Sequence, residues 1–208
     1  MKKILLVLIC FFVVGCNNDN LQPEICHHTS EYLNADSNFD ETDEITNYIK
    51  IEMDNDDVII IELYPECAPI TVENFQNLVS REFFDGTNFH RVVAGFMIQG
   101  GSSATGDAAN TIIGEFANNG IDNPILHERG VISMARTPDM NSASSQFFIM
   151  HAANVGLDED YAAFGRVIFG MDTVDRIATT PVDDPASMSP SPITPQVVRS
   201  IRFVTIER

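Results

Sequence analysis

Apolar and polar residues alternate along Tyr48–Met53, as on a half-buried strand. A polar turn, Asp54 to Asp57, leads into Val58–Tyr64, a second strand, so the two form a hairpin. Pro69 suits the first turn of a helix, and Val72, Phe75, Leu78 and Val79 follow at helical spacing. Asp85-Gly86 breaks the chain. From 87 to 170 the pattern changes to short apolar runs divided by glycine: Phe89–Val93, Phe96–Gln99, Val131–Ala135, Phe147–Met150 and Ala163–Phe169. A second helix fits Met171–Ala178, and Val197–Ile206 closes as a strand. Between them, 181–195 holds five of the ten prolines and is loop. Two helices among many short strands predict a mainly β, closed or nearly closed barrel with caps.

The N-terminus has a different pattern. Lys2 and Lys3 precede an unbroken apolar run from Ile4 to Val14. Eleven residues span about 16 Å as a helix, short of the roughly 30 Å hydrocarbon core, so the run suits a secretory signal better than a membrane span. It ends Val-Val-Gly-Cys16, which resembles a bacterial lipoprotein signal with valines in place of the usual Leu and small residue. The expectation is a signal peptide at 1–15, cleaved before Cys16, and lipidation of Cys16, which anchors the chain to a bacterial membrane facing the periplasm or the cell exterior. Residues 17–47 carry eight acidic residues and no Lys or Arg, as in a flexible tether, so 16–47 is assigned to a tether and 48–208 to the folded domain.

Net charge is −18 for the chain and −12 for residues 48–208, which argues against nucleic-acid binding and favours a monomer. Cys26 and Cys67 remain after processing; export permits a disulfide between them without establishing one. Cys26-His27-His28 lacks a further ligand pair at standard spacing and carries no metal assignment, and no cofactor is expected.

The chemistry lies in two blocks. FHRVVAGFMIQGG at 89–101, and SMART at 133–137 followed by SSQFFI at 144–149, resemble the signature blocks of cyclophilins; YPECAPITVENF at 64–75 and AFGRV at 163–167 extend the likeness to about 48–206. The resemblance implies an eight-stranded antiparallel closed barrel capped by two helices, and peptidyl-prolyl cis–trans isomerase activity on proline-containing polypeptides. By that pattern Arg91 is the catalytic cation. Phe96, Met97, Phe148 and Leu157 line the proline slot, and Gln99 holds the substrate backbone. Ala135 and Arg136 fall on the substrate-binding strand, where many relatives have Asn at the second position. Gln146 supports the residue before proline, and Tyr161 takes the place of a pocket histidine. Gly156 stands where many members have a tryptophan, which weakens the expectation of cyclosporin binding. His90, beside Arg91 on a strand, is expected to face away and serve structure.

These residue types suit the reaction. Amide resonance sets a rotation barrier of about 18–20 kcal/mol, and X-Pro bonds exchange over tens to hundreds of seconds. A catalyst needs only an apolar slot for proline and a fixed charge that favours the twisted state, in which the lone pair returns to nitrogen. The alternative functions are a prolyl-peptide binding or holdase module with little turnover, suggested by Gly156, and a carrier for a lipophilic ligand, which explains neither Arg91 nor Gln99.

Overall fold

The computed structural model describes residue 33 and residues 37–106 and 109–207. Cys16, Cys26, His27, His28 and the signal segment lie outside them. Nine strands run β1 (Asn38–Thr42), β2 (Tyr48–Met53), β3 (Val58–Leu63), β4 (Arg91–Val93), β5 (Met97–Gly100), β6 (Val131–Met134), β7 (Phe147–Met150), β8 (Ala163–Phe169) and β9 (Val198–Glu207). Helices α1 (Pro69–Ser80) and α2 (Met171–Ala178) accompany them. The strands form one antiparallel sheet in the order β1-β9-β2-β3-β8-β6-β7-β5-β4.

Two features depart from the expected closed eight-stranded barrel. First, no ladder joins β4 to β9. An isolated bridge, Asn88 to Val197, and the Phe89 N–H to Gln196 O bond (3.0 Å) cross that gap instead. Pro190, Pro192 and Pro195 remove donors from the segment just before β9, which fits the absence of a continuous ladder there. Second, β1 lies within the segment assigned to the flexible tether and pairs with β9 from Asn38–Glu207 to Thr42–Phe203. Phe39 and Leu33 pack over Ile60, Ile168 and Val204 on the outer face of the sheet, and Lys50 pairs with Glu41.

The strands around the site are buried on both faces. Val92, Ile98, Ile132, Phe147 and Ile149 face the main core with α1, whereas Met97, Val131, Phe148 and Met150 belong to a second cluster on the opposite face. This explains why the runs read as continuously apolar. Within the main core Phe75 of α1 meets the rings of Phe84, Phe147 and Phe164 at 5.1–5.5 Å. Truncating such a ring costs about 3–5 kcal/mol.

Helix α1 has no capping side chain of its own; Ala68 precedes Pro69. Its first free N–H groups are satisfied from outside. Glu115, 2% exposed, accepts from the N–H of Ile70 (3.1 Å) and Thr71 (2.7 Å) and from the Thr71 hydroxyl (2.6 Å). The carboxylate thereby meets the positive end of the helix where water is excluded. Cys67, just ahead of the helix, is disulfide-bonded. Replacing Glu115 with Ala leaves two buried donors unpaired; urea unfolding is expected to show a loss of about 1–3 kcal/mol, and Glu115→Gln a smaller one.

Candidate functional site

Sheet register assembles the site. Arg91 pairs with Gln99, Gln99 with Phe148 and Phe148 with Ser133, so four residues from β4, β5, β7 and β6 form one cross-strand row. Met97 is two residues from Gln99 and shares its face. A cleft of about 110 Å³ on this face is lined by Arg91, Phe96, Met97, Gln99, Ala135, Arg136, Phe148, Leu157 and Tyr161. Gln146 lies outside that lining; it borders a neighbouring groove with Gln99, Ala135, Arg136, Thr137, Ser142 and Ser144.

Hydrogen bonds fix the polar wall. The Arg91 Nε–H donates to the Met188 carbonyl (3.1 Å), and Nη1–H to Gln99 Oε1 (3.1 Å). Because a guanidinium only donates, Gln99 must turn its oxygen to Arg91 and its amide nitrogen to Gln146 Oε1, 2.9 Å away. The order Arg91–Gln99–Gln146 is thus set from the cationic end. Arg91 Nη2 has no protein partner among the described residues. His90 stays out of the cleft lining. Burial, followed by the charge of Arg91, lowers its pKa against opposing hydrogen bonds from Asn88 and Gln146.

Ala135 and Arg136, expected on a strand, lie just beyond the end of β6 at Met134, and the Arg136 side chain is held against the cleft. Its guanidinium lies over the rings of Phe116 (5.0 Å) and Tyr161 (4.8 Å) and donates from Nε to the Asp160 carbonyl (2.8 Å). Cation–ring attraction and this bond draw it flat against the cleft. The Ala135 N–H donates to the Gln146 carbonyl (2.9 Å).

Behind the apolar wall lies a network the sequence did not signal. Asp158 Oδ1 accepts from the His127 backbone N–H (2.6 Å) and lies 3.1 Å from His127 Nδ1; Nε2 is 3.0 Å from the Ser133 hydroxyl. A carboxylate only accepts, so Nδ1 carries the proton and Nε2 accepts from Ser133. Aspartate, histidine and serine in that order resemble a nucleophilic triad, but Ser133 is fully buried and no substrate reaches it. The network is a support. The His127 ring stacks on Phe148 at 5.9 Å, and Asp158 fastens the segment carrying Leu157 and Tyr161 to the sheet. Burial lowers the His127 pKa, against the opposing pull of Asp158, and so favours the neutral ring.

The match to a family model named cyclophilin type peptidyl-prolyl cis-trans isomerase spans residues 48–202. The chain belongs to this family.

A peptidyl-prolyl cis-trans isomerase of Acinetobacter baylyi is 42% identical over 153 residues, covering 71% of this chain and 81% of the relative. Peptidyl-prolyl cis-trans isomerase A of Dickeya dadantii is 38% identical over 151 residues, 70% of this chain and 79% of that protein. The crystal structure of a cyclophilin type isomerase from Cryptosporidium parvum superposes with a TM-score of 0.67 at 24% identity, over 78% of this chain and 99% of that one. This cyclophilin is a peptidyl-prolyl cis–trans isomerase.

A buried neutral histidine in this cyclophilin has a consequence for stability. Unfolding releases His127 and His90 to bind protons that the folded state excludes. Stability therefore falls as pH drops below about 6.5. Urea midpoints measured from pH 7.5 to 5.5 are expected to decrease, and His127→Gln, although less stable at neutral pH, to show a shallower dependence.

Proposed function

We propose that this cyclophilin is exported, held at a bacterial membrane by lipid on Cys16, and accelerates cis–trans exchange of X-Pro bonds in other exported proteins. The observation that carries the catalytic part is Arg91, held from two sides with one nitrogen facing an apolar cleft. Phe96, Met97, Phe148 and Leu157 receive the proline ring. Gln99 and Gln146 hold flanking carbonyl and amide groups, with Ala135 and Arg136, just beyond β6, and Tyr161 along the opposite wall. As the amide twists, its nitrogen recovers a lone pair, and the guanidinium donates to it. The bond at Met188 and the bond at Gln99 keep the cation from following solvent, so little reorganisation opposes the step.

A related Cryptosporidium parvum structure, 25% identical, was determined in the presence of the dipeptide Ala-Pro, which supports proline-containing substrates here. A disulfide at Cys67 supports an oxidising location, since such bonds persist outside the cytosol. At Gly156 an added Cβ meets only the Asn154 side chain, at 3.1 Å, so the cleft is open where many relatives carry a tryptophan wall. That opening favours broad acceptance of extended segments over cyclosporin binding.

Two experiments test this reading. Arg91→Ala is expected to lower kcat/KM for a short X-Pro peptide on the order of 10²–10³-fold with the fold intact, as followed by NMR exchange. Arg91→Lys recovers little, because an ammonium cannot reach Met188 and Gln99 in one plane. Saturable peptide binding without acceleration by the wild type would favour a holdase instead. For the anchor, Cys16→Ser in the full chain is expected to move the protein from the membrane to the soluble fraction.

A further inference from the structure

Cys67 is disulfide-bonded, and it is the only cysteine among the described residues, so its partner is Cys10, Cys16 or Cys26. It is buried beside Tyr64, Val131 and Ala163, in the apolar cluster that includes Met97 and Phe148 of the cleft wall. The chain ahead of β1 is fixed near this region at Leu33. Strand β6 begins opposite Arg166 of β8, and beyond that point the Leu33 N–H donates to the Ile168 carbonyl (2.9 Å). Four residues earlier on β8, the Phe164 carbonyl accepts from the Tyr64 N–H (2.8 Å), and the Cys67 N–H closes the next turn on the Tyr64 carbonyl (3.1 Å).

Distance selects among the three cysteines. Ile168 and Phe164 are about 13 Å apart along β8, and crossing that strand and rounding the turn to Cys67 bring the gap to about 20–25 Å. The seven steps from Cys26 to Leu33 span at most about 25 Å, and a disulfide adds about 5.5 Å between Cα atoms. Cys26 therefore reaches Cys67 only as an extended strap with little slack. Cys10 and Cys16 would close longer loops, at greater entropic cost. Charge agrees with the strap. Glu31 precedes Leu33 by two residues, as Arg166 precedes Ile168, so a course parallel to β8 sets the acid beside the guanidinium. The contacts of Arg166 with Glu128 Oε2 and the Arg129 carbonyl are both 3.4 Å, long for a guanidinium and open to competition from a second carboxylate.

We propose that Cys26 is the disulfide partner of Cys67 and that residues 26–32, which lie outside the described residues, dock along the outer face of β8 as a strap, with Glu31 paired to Arg166. Forming the bond takes two electrons and two protons from the two thiols; a disulfide oxidant of the exporting compartment accepts them and leaves as a dithiol. The strap divides the acidic N-terminal segment in two. In the anchored protein proposed above, the leash from Cys16 to the first fixed point shortens from about 60 Å at Leu33 to about 35 Å at Cys26. That consequence rests on the lipid anchor; the disulfide and the strap do not.

The test isolates the full chain from an exporting cell with free thiols blocked, digests it without reduction and identifies the linked peptides by mass spectrometry. A peptide joining Cys26 to Cys67 is expected. A free Cys67, or one joined to Cys10, Cys16 or a second copy, overturns the inference. Digestion of the folded protein with a glutamate-specific protease then tests the strap. Glu24, ahead of the bridge, is expected to be cut readily, and Glu31 about tenfold more slowly in oxidised than in reduced protein. Cys26→Ser is expected to behave as the reduced wild type, and Arg166→Gln to quicken cutting at Glu31 with the disulfide intact. Equal cutting of Glu31 in oxidised and reduced protein refutes the docked strap, and no change in Arg166→Gln refutes its pairing. If either variant does not fold, the wild type with and without reductant decides. Arg91-dependent exchange is expected to persist in Cys26→Ser; its absence from the wild type counts against the isomerase reading and leaves the strap standing.

Discussion

A guanidinium can favour a twisted amide only if it stays in place while charge develops beside it. The pairing of β4, β5, β7 and β6 provides that fixity. One row across these strands puts Arg91 beside Gln99 and Gln99 beside Phe148. Slipping any strand by one residue would turn its site-facing side chains toward the main core and bring Val92, Ile98 or Ile149 to the cleft face in their place. The core around Phe75, Phe147 and Phe164 therefore defends the catalytic geometry as well as stability. Two-sided burial has a further effect: the wall of the cleft is itself the lid of a second apolar cluster, with Met97, Met150 and Val131 beneath it.

Much of this arrangement was legible from periodicity. The helix over Pro69–Ser80 and the strands at Tyr48–Met53, Phe147–Met150 and Ala163–Phe169 coincide with runs whose apolar spacing is unambiguous. The motif blocks singled out Arg91, Gln99 and Phe148, but their alignment in one row is a matter of register that the blocks do not carry. The missing parts share a cause. β1 has one aromatic residue, Phe39, among acids, and its stability comes from backbone pairing to β9, which no local pattern encodes. The Met188 carbonyl that holds Arg91 is a main-chain group in a loop recognisable only by its prolines. Glu115 caps a helix 44 residues away in sequence. His127, Asp158 and Ser133 are scattered along the chain and meet only through folding.

Charge placement follows one logic. Of 30 acidic side chains, those that matter for geometry are used singly and against a defined donor set: Glu115 at the start of α1, Asp158 on His127, Asp175 with Arg129. The cations near the cleft are immobilised differently. Arg91 is held by neutral oxygens, which leave its charge undiminished for the substrate, whereas Arg136 is spread over two rings and a carbonyl and serves packing. Two arginines bordering one cleft thus have unequal electrostatic reach.

The strand that precedes the barrel also changes how one molecule presents itself to another. Sheet edges are templates for intermolecular pairing, and a ring left open has two of them. Here one edge is β4, only three residues long. The other is β1, whose Asp40 and Glu41 are exposed and followed by Asp43 and Glu44. Two copies approaching along that edge bring like charges together before any backbone bond forms. This self-repulsion keeps the sheets of neighbouring molecules from fusing into one.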